Sequence, residues 1–132
     1  QQVLFGKENT SYKSPYILVP QLTNNINNIL AHHEALLPIL AQHFGDTHFL
    51  IGREHYNLSS LYCYKNDFTK SQYHINIAIK LYEKRWSKEN IESLLVHNLN
   101  GIIHFLTGKL PEALAIQQQV YQLAKQSQQE YG

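Results

Sequence analysis

The sequence predicts an all-α chain, an α-solenoid of stacked antiparallel helix hairpins. Three observations lead there. Apolar residues recur at helical spacing through the C-terminal two-thirds, helix-stop chemistry punctuates them at short intervals, and the pattern returns after about 42 residues. A period of this size outranks any single-helix argument. A two-helix unit cannot bury its apolar face alone, so neighbouring units must stack.

Taken in order, Leu22 to Phe44 reads as a helix with Ile26, Ile29, Leu30, Leu36, Leu37 and Leu40 on its inner side. Asn24-Asn25 and Asn27-Asn28 weaken its start, and Pro38 is expected to kink it or open its last segment. Phe44-Gly45 matches the aromatic-Gly pairs Phe5-Gly6 and Tyr131-Gly132, so residues 1–47 are expected to form a degenerate or partial first repeat, split near Pro20. Phe49 to Tyr64 is the next helix, with Leu50, Ile51, Leu58, Leu61 and Tyr62 at helical spacing, and Lys65-Asn66-Asp67 supplies turn chemistry after it. Phe68 opens a stripe continuing through Ser71, Ile75, Ala78, Ile79 and Tyr82. Ser87 or Asn90 then offers an N-cap for a helix from Ile91 to Leu106, which Thr107-Gly108 ends. Pro111, tolerated in a first turn, begins a last helix to about Gln129.

These four helices make two hairpins in a shared register. With 110 − 68 = 42, Phe68, Ser71, Ala78, Ile79 and Leu81 fall on Leu110, Ala113, Val120, Tyr121 and Leu123, and Asn66 falls on Gly108. A shift of 41 instead pairs Asn57-Leu58 with Asn98-Leu99. The 42 shift keeps the turn lengths equal and sets Gly101 where two helices would pack closest. The units are 48–89 and 90–132. Without an initiator Met and stopping at Tyr131-Gly132, the chain reads as a segment of a larger array.

Composition removes several functions. Hydrophobic residues are 43% and charged residues only 16%, so amides carry the polar surface: twelve Gln and eleven Asn. Eleven basic against ten acidic residues give +1, no field for nucleic acid or an anionic membrane. No apolar run is long enough for a membrane span. The single cysteine, Cys63, excludes an internal disulfide and fits a reducing, cytoplasmic setting.

On these residues the chain resembles the tetratricopeptide repeat (TPR) family, particularly the subtype found in kinesin light chains. His55-Tyr56-Asn57-Leu58-Ser59-Ser60-Leu61-Tyr62, then Asn66, Phe68, Ser71 and Ala78-Ile79, carry the resemblance in one unit. His97-Asn98-Leu99-Asn100-Gly101-Ile102-Ile103-His104, then Gly108, Leu110 and Ala113, carry it in the next. His104 departs from the pattern's aromatic, Asn100 from an apolar slot, and Gln117 from a packed aromatic. The match spans about residues 46 to 130. It implies a TPR-like superhelix that binds a protein, an extended peptide or a helix on the concave face made by the first helix of each hairpin. Residue by residue, that face would comprise Arg53, Tyr56, Asn57, Ser60 and Tyr64, then Leu95, Asn98, Ile102 and Phe105. Asn side chains donate and accept at once, which suits clamping a peptide backbone, and aromatics supply pockets.

Other readings compete. Eight histidines invite a metal site, but His97 and His104 lie seven residues apart, roughly 10 Å along a helix, so no metal or cofactor is expected. No phosphate loop, nucleophile elbow or informative carboxylate pair is present, and the chain is read as no enzyme. The alternatives to an adaptor are a ligand-sensing domain of a regulator, the non-catalytic part of an enzyme, and a structural module self-associating around Leu114 and Tyr121.

Overall fold

The computed structural model describes residues 15–131, with side chains from 24 to 129. Phe5-Gly6, and Gly132 of the pair Tyr131-Gly132, fall outside what is described. Among the described residues five helices follow one another: α1 (Pro15–Phe44), α2 (Phe49–Tyr64), α3 (Phe68–Arg85), α4 (Ile91–Leu106) and α5 (Leu110–Tyr131). Among the described residues there is no strand, and each helix packs against the next.

Helix α1 departs from its expected form. It begins seven residues earlier, at Pro15, and runs through both Pro20 and Pro38. A proline removes one donor from the helical ladder and crowds the preceding turn. Packing holds the turns that lead into Pro38: Leu30 is buried against Leu58 and Tyr62 of α2, and Leu37 joins that cluster. Tertiary burial overrides the local break.

The four later helices repeat at the level of single hydrogen bonds. His48 and Asn90, 42 apart, cap α2 and α4, and each side chain accepts from the backbone N–H two residues on. Both capped helices have 16 residues. Each ends in a left-handed residue, Asn66 at φ 62° and Gly108 at φ 83°. The N–H of Asp67 donates to the Tyr62 carbonyl and that of Asn66 to Cys63; the N–H of Lys109 donates to His104 and that of Gly108 to Phe105. This paired capping satisfies carbonyls that a helix end otherwise orphans, and it favours Gly or Asn at the left-handed position. Turn and register are therefore the same in both hairpins, with an offset of 42.

Each turn folds the chain back on itself. In the first hairpin Ser59 lies against Ser71 and His55 against His74. The two serines exchange bonds: each hydroxyl donates to the other's carbonyl at 2.8 Å. In the second hairpin the same positions hold Gly101 and Ala113, both buried. A Cβ on Gly101 would collide with Gln117 Nε2 and meet Ile116 Cγ2 at 3.1 Å. The glycine thus makes room for Gln117, whose amide donates to the Asn98 carbonyl at 3.2 Å. The departures noted at Asn100 and His104 are also accommodated. Gln72 donates to Asn100 Oδ1 at 2.9 Å, and His104 Nδ1 donates to the Asn100 carbonyl at 2.8 Å.

The main core joins the hairpins rather than filling either one. Ile75, Ala78 and Tyr82 of α3 pack with Val96, Leu99 and Ile103 of α4, flanked by Tyr56 and Cys63 of α2. Among the described residues one buried side-chain group, Ser93 Oγ, lacks a hydrogen-bond partner. Ile51 occupies its counterpart position in the first hairpin and is also buried.

Two stability changes follow. Nothing lies within 4 Å of a Cβ built at Gly108, so Gly108→Ala meets only the conformational penalty and loses about 1 kcal/mol by urea unfolding. Gly108→Asn, borrowing the first hairpin's residue, loses less; equal losses would show that the left-handed backbone does not set this cost. Ser93→Ala removes an orphaned hydroxyl and is expected to leave stability unchanged or raise it by about 1 kcal/mol in the same assay.

Candidate functional site

Helices α2 and α4 run side by side, because each opens its hairpin and the offset between them is 42. Between them lies a cleft of about 460 Å³. Tyr56, Ser60, Cys63 and Tyr64 of α2 and Asn66 of the turn form one wall; Asn98, Leu99, Ile102 and Leu106 of α4 form the other. Positions 56, 60 and 64 are successive turns of one helix face, and 98, 102 and 106 are their repeat counterparts. The cleft is therefore one helix face written twice.

Its walls carry no formal charge. Burial, with Glu92 nearby as a smaller cause, raises the Tyr56 hydroxyl above its ordinary range. Burial also raises the Cys63 thiol, while a hydrogen bond from Ser71 pulls the other way. Cys63 is thus a poor thiolate. The cleft offers aromatic and aliphatic surface plus the amides of Asn66 and Asn98, and it has no ionised group with which to hold a charged ligand.

Five of the nine residues expected on a binding face line this cleft: Tyr56, Ser60, Tyr64, Asn98 and Ile102. Arg53, Asn57, Leu95 and Phe105 are not among its walls. Asn57 is turned toward α1, where its amide reaches Glu54, itself bonded to His33. Arg53 and Leu95 are exposed one turn earlier on their helices. Phe105 lines a separate apolar groove between α4 and α5. Sequence reasoning missed Leu106 and Leu99, although adding 42 to Tyr64 gives the first of them directly. Pairing Asn57 with Asn98 used the 41 shift, and the structure pairs Asn98 with Tyr56.

A second cluster also escaped the sequence reading. His55 and His74 are buried and face each other, Nδ1 to Nδ1, at 2.9 Å. His74 stacks flat on Tyr62, whose hydroxyl donates to Glu34 of α1. Beside it, His33 of α1 pairs with the buried Glu54. The only signal was position: His74 lies one turn from Ser71 and from Ala78, on the buried stripe. Among the described residues no three His, Cys, Asp or Glu side chains gather as metal ligands.

The imidazole pair makes the fold acid-sensitive. Burial first, then neighbouring His74, lowers His55 from its ordinary 6.5 to about 4, against an opposing pull from Glu34. Burial likewise lowers His74, with Glu34 opposing and Lys70 reinforcing. The unfolded chain takes up a proton near 6.5 and the folded one resists it until about 4. Between those values the unfolded state binds more protons, so this stabilisation is complete above about pH 6.5 and is lost as pH falls toward 4. Urea unfolding at a series of pH values is expected to show that decline, and His55→Gln to flatten it. Parallel profiles for the two proteins would exclude the pair as its cause.

No protein-family model matches this chain, and no curated protein matches it.

Proposed function

We propose that the chain is a peptide- or protein-binding unit of a TPR-like superhelix, and that the α2–α4 cleft is its concave recognition surface. The observation carrying this reading is the cleft itself. Two copies of one helix face, offset by 42 residues, set aromatic and amide side chains opposite aliphatic ones across about 460 Å³. That volume lies in the range of small-ligand and peptide pockets. Tyr56 and Tyr64 supply flat apolar contact at low entropic cost, and Asn98 and Asn66 satisfy peptide N–H and C=O groups in pairs. The uncharged lining favours an apolar or amide-rich segment over an acidic or basic tail. The role this surface suits is that of an adaptor.

Peptide-library enrichment tests this, with circular dichroism to establish that each variant stays helical. The native chain is expected to enrich a peptide class, and Tyr56→Ala/Asn98→Ala to lose it. Asn57→Ala, turned toward α1, should retain it. The bound peptide should slow alkylation of Cys63, and affinity should change little between low and high salt. Equal capture by native chain and double variant would remove the cleft from consideration.

A further inference from the structure

Where α1 turns into α2, a run of aromatic rings gathers against the end of α3. The ring of Phe44 lies 4.8 Å from that of His48, and His48 stacks on Phe49 at 4.8 Å and 28°. Trp86, just after α3, meets Phe49 edge to face at 5.3 Å. The Arg85 guanidinium lies 5.4 Å from the Phe49 ring and 5.3 Å from that of Trp86. Phe44, His48, Phe49, Leu81, Lys84 and Arg85, with Thr47, line a cavity of about 490 Å³. That volume suits a small molecule. The α2–α4 cleft shares none of these residues.

Two kinds of group here are left open to solvent. Phe44, the outer ring of the stack, is 47% exposed, so a further ring can lie on it. Lys84 and Arg85 are exposed as well, and among the described residues neither has a carboxylate within 4 Å. Glu83, beside them in the chain, pairs with His97 of α4 at 3.5 Å instead, and no acidic side chain lines the cavity. Stacking uses the flat face of the Arg85 guanidinium and leaves N–H donors around its edge. The repeat does not require this set. With the offset of 42, His48, Phe49, Lys84 and Arg85 become Asn90, Ile91, Gln126 and Ser127, without a ring or a cation among them. Asn90 caps its helix as His48 does, so the turn needs neither.

We infer that this cavity binds a nucleoside monophosphate, with its base on Phe44 and its phosphate held by Lys84 and Arg85. A planar base continues the stack that Phe44, His48 and Phe49 begin, and such stacking accepts any base. A phosphomonoester carries about −1.5 to −2 charges at pH 7, which two cations match and a single carboxylate does not. The edge of Arg85 can bond two phosphate oxygens at once, and Lys84 adds a point charge. His48 and Phe49 stand between the open ring and the guanidinium, so base and phosphate must be held apart. A ribose is that spacer, whereas a phosphate attached straight to an aryl ring has none. Donors for the sugar hydroxyls are at hand in Thr47 and in His48, whose Nδ1 accepts from Leu50 and whose proton therefore sits on Nε2.

Trp86 is the chain's one tryptophan and touches both Phe49 and Arg85, so its fluorescence reports on the site. Adenosine monophosphate titrated into the whole chain is expected to change that signal saturably, with a Kd below about 1 mM that rises with salt. Adenosine, inorganic phosphate and phenyl phosphate should each bind at least about tenfold more weakly. Equilibrium dialysis then compares variants shown to be helical by circular dichroism. Lys84→Gln, Arg85→Gln and Phe44→Ala should each weaken binding about tenfold, and Tyr56→Ala/Asn98→Ala should leave it unchanged. A Kd above about 1 mM overturns the inference. So does adenosine or inorganic phosphate binding as tightly as the monophosphate, or affinity kept in both cation variants. Equal binding of phenyl phosphate would overturn the assignment to a nucleoside.

Discussion

The main apolar cluster lies between the two hairpins and not inside one, and the rest of the structure depends on that constraint. Helix α3 meets its hairpin partner through Ser59–Ser71, His55–His74 and the approach of Leu81 and Tyr82 to Gly52, while Ile75, Ala78 and Tyr82 also pack on α4 of the next hairpin. Burial of a side chain the size of Ile75 is worth about 2 kcal/mol at the usual area coefficient, and it is complete only when the next hairpin is in place. Helix order in space then follows helix order in sequence, because each unit must be covered by the one after it. The three-residue turns serve this arrangement. With Asn66 and Gly108 in the left-handed region and the same two capping bonds, they return each second helix at a fixed angle and offset.

The cleft follows from the same regularity. Two helices that occupy equivalent places in equivalent hairpins must present equivalent faces, so Tyr56, Ser60 and Tyr64 stand beside Asn98, Ile102 and Leu106. The recurrence is of position and not of residue type. The first face is aromatic and hydroxylic, whereas the second is amide followed by aliphatic, and that difference gives the cleft two chemically distinct walls. A one-residue error in register turns a side chain by 100° around the helix, enough to move it from this cleft to another interface. Asn57 is the case in point. It neighbours Tyr56 in sequence, yet its amide contacts Glu54 on the side that meets α1.

Helix ends, turns and the apolar stripes were legible because they are set by local chemistry: the Asn90 cap, the Asn66 and Gly108 stops, and the Ser71 to Tyr82 stripe. Five of the nine expected face residues line the cleft because the helical period alone assigns them. The remainder depended on information that is not local. Pro20 and Pro38 each signal a break, and α1 continues through both, with Leu30 and Leu37 held on α2 ahead of the second. Histidines were unreadable for a different reason. An imidazole suits a surface, a metal site or a core, and only the approach of His74 to His55 and Tyr62 decides among them.

The seams change character along the chain, and this asymmetry bears on how it assembles. Where α1 meets α2, Glu34 accepts from Tyr62 and His33 pairs with Glu54 around a small apolar cluster. Such pairs contribute little net stability but penalise any misplaced helix, because a shift strands buried polar groups. Between α3 and α4 one amide pair, Gln72 with Asn100, accompanies a larger apolar cluster. At α4–α5 the exposed seat is apolar almost throughout. Polar seams specify a unique neighbour, whereas an apolar seat binds through area and shape and tolerates more than one. The α1 seam of this stack is thereby held by polar pairs, whereas the α4–α5 groove keeps its apolar side chains exposed.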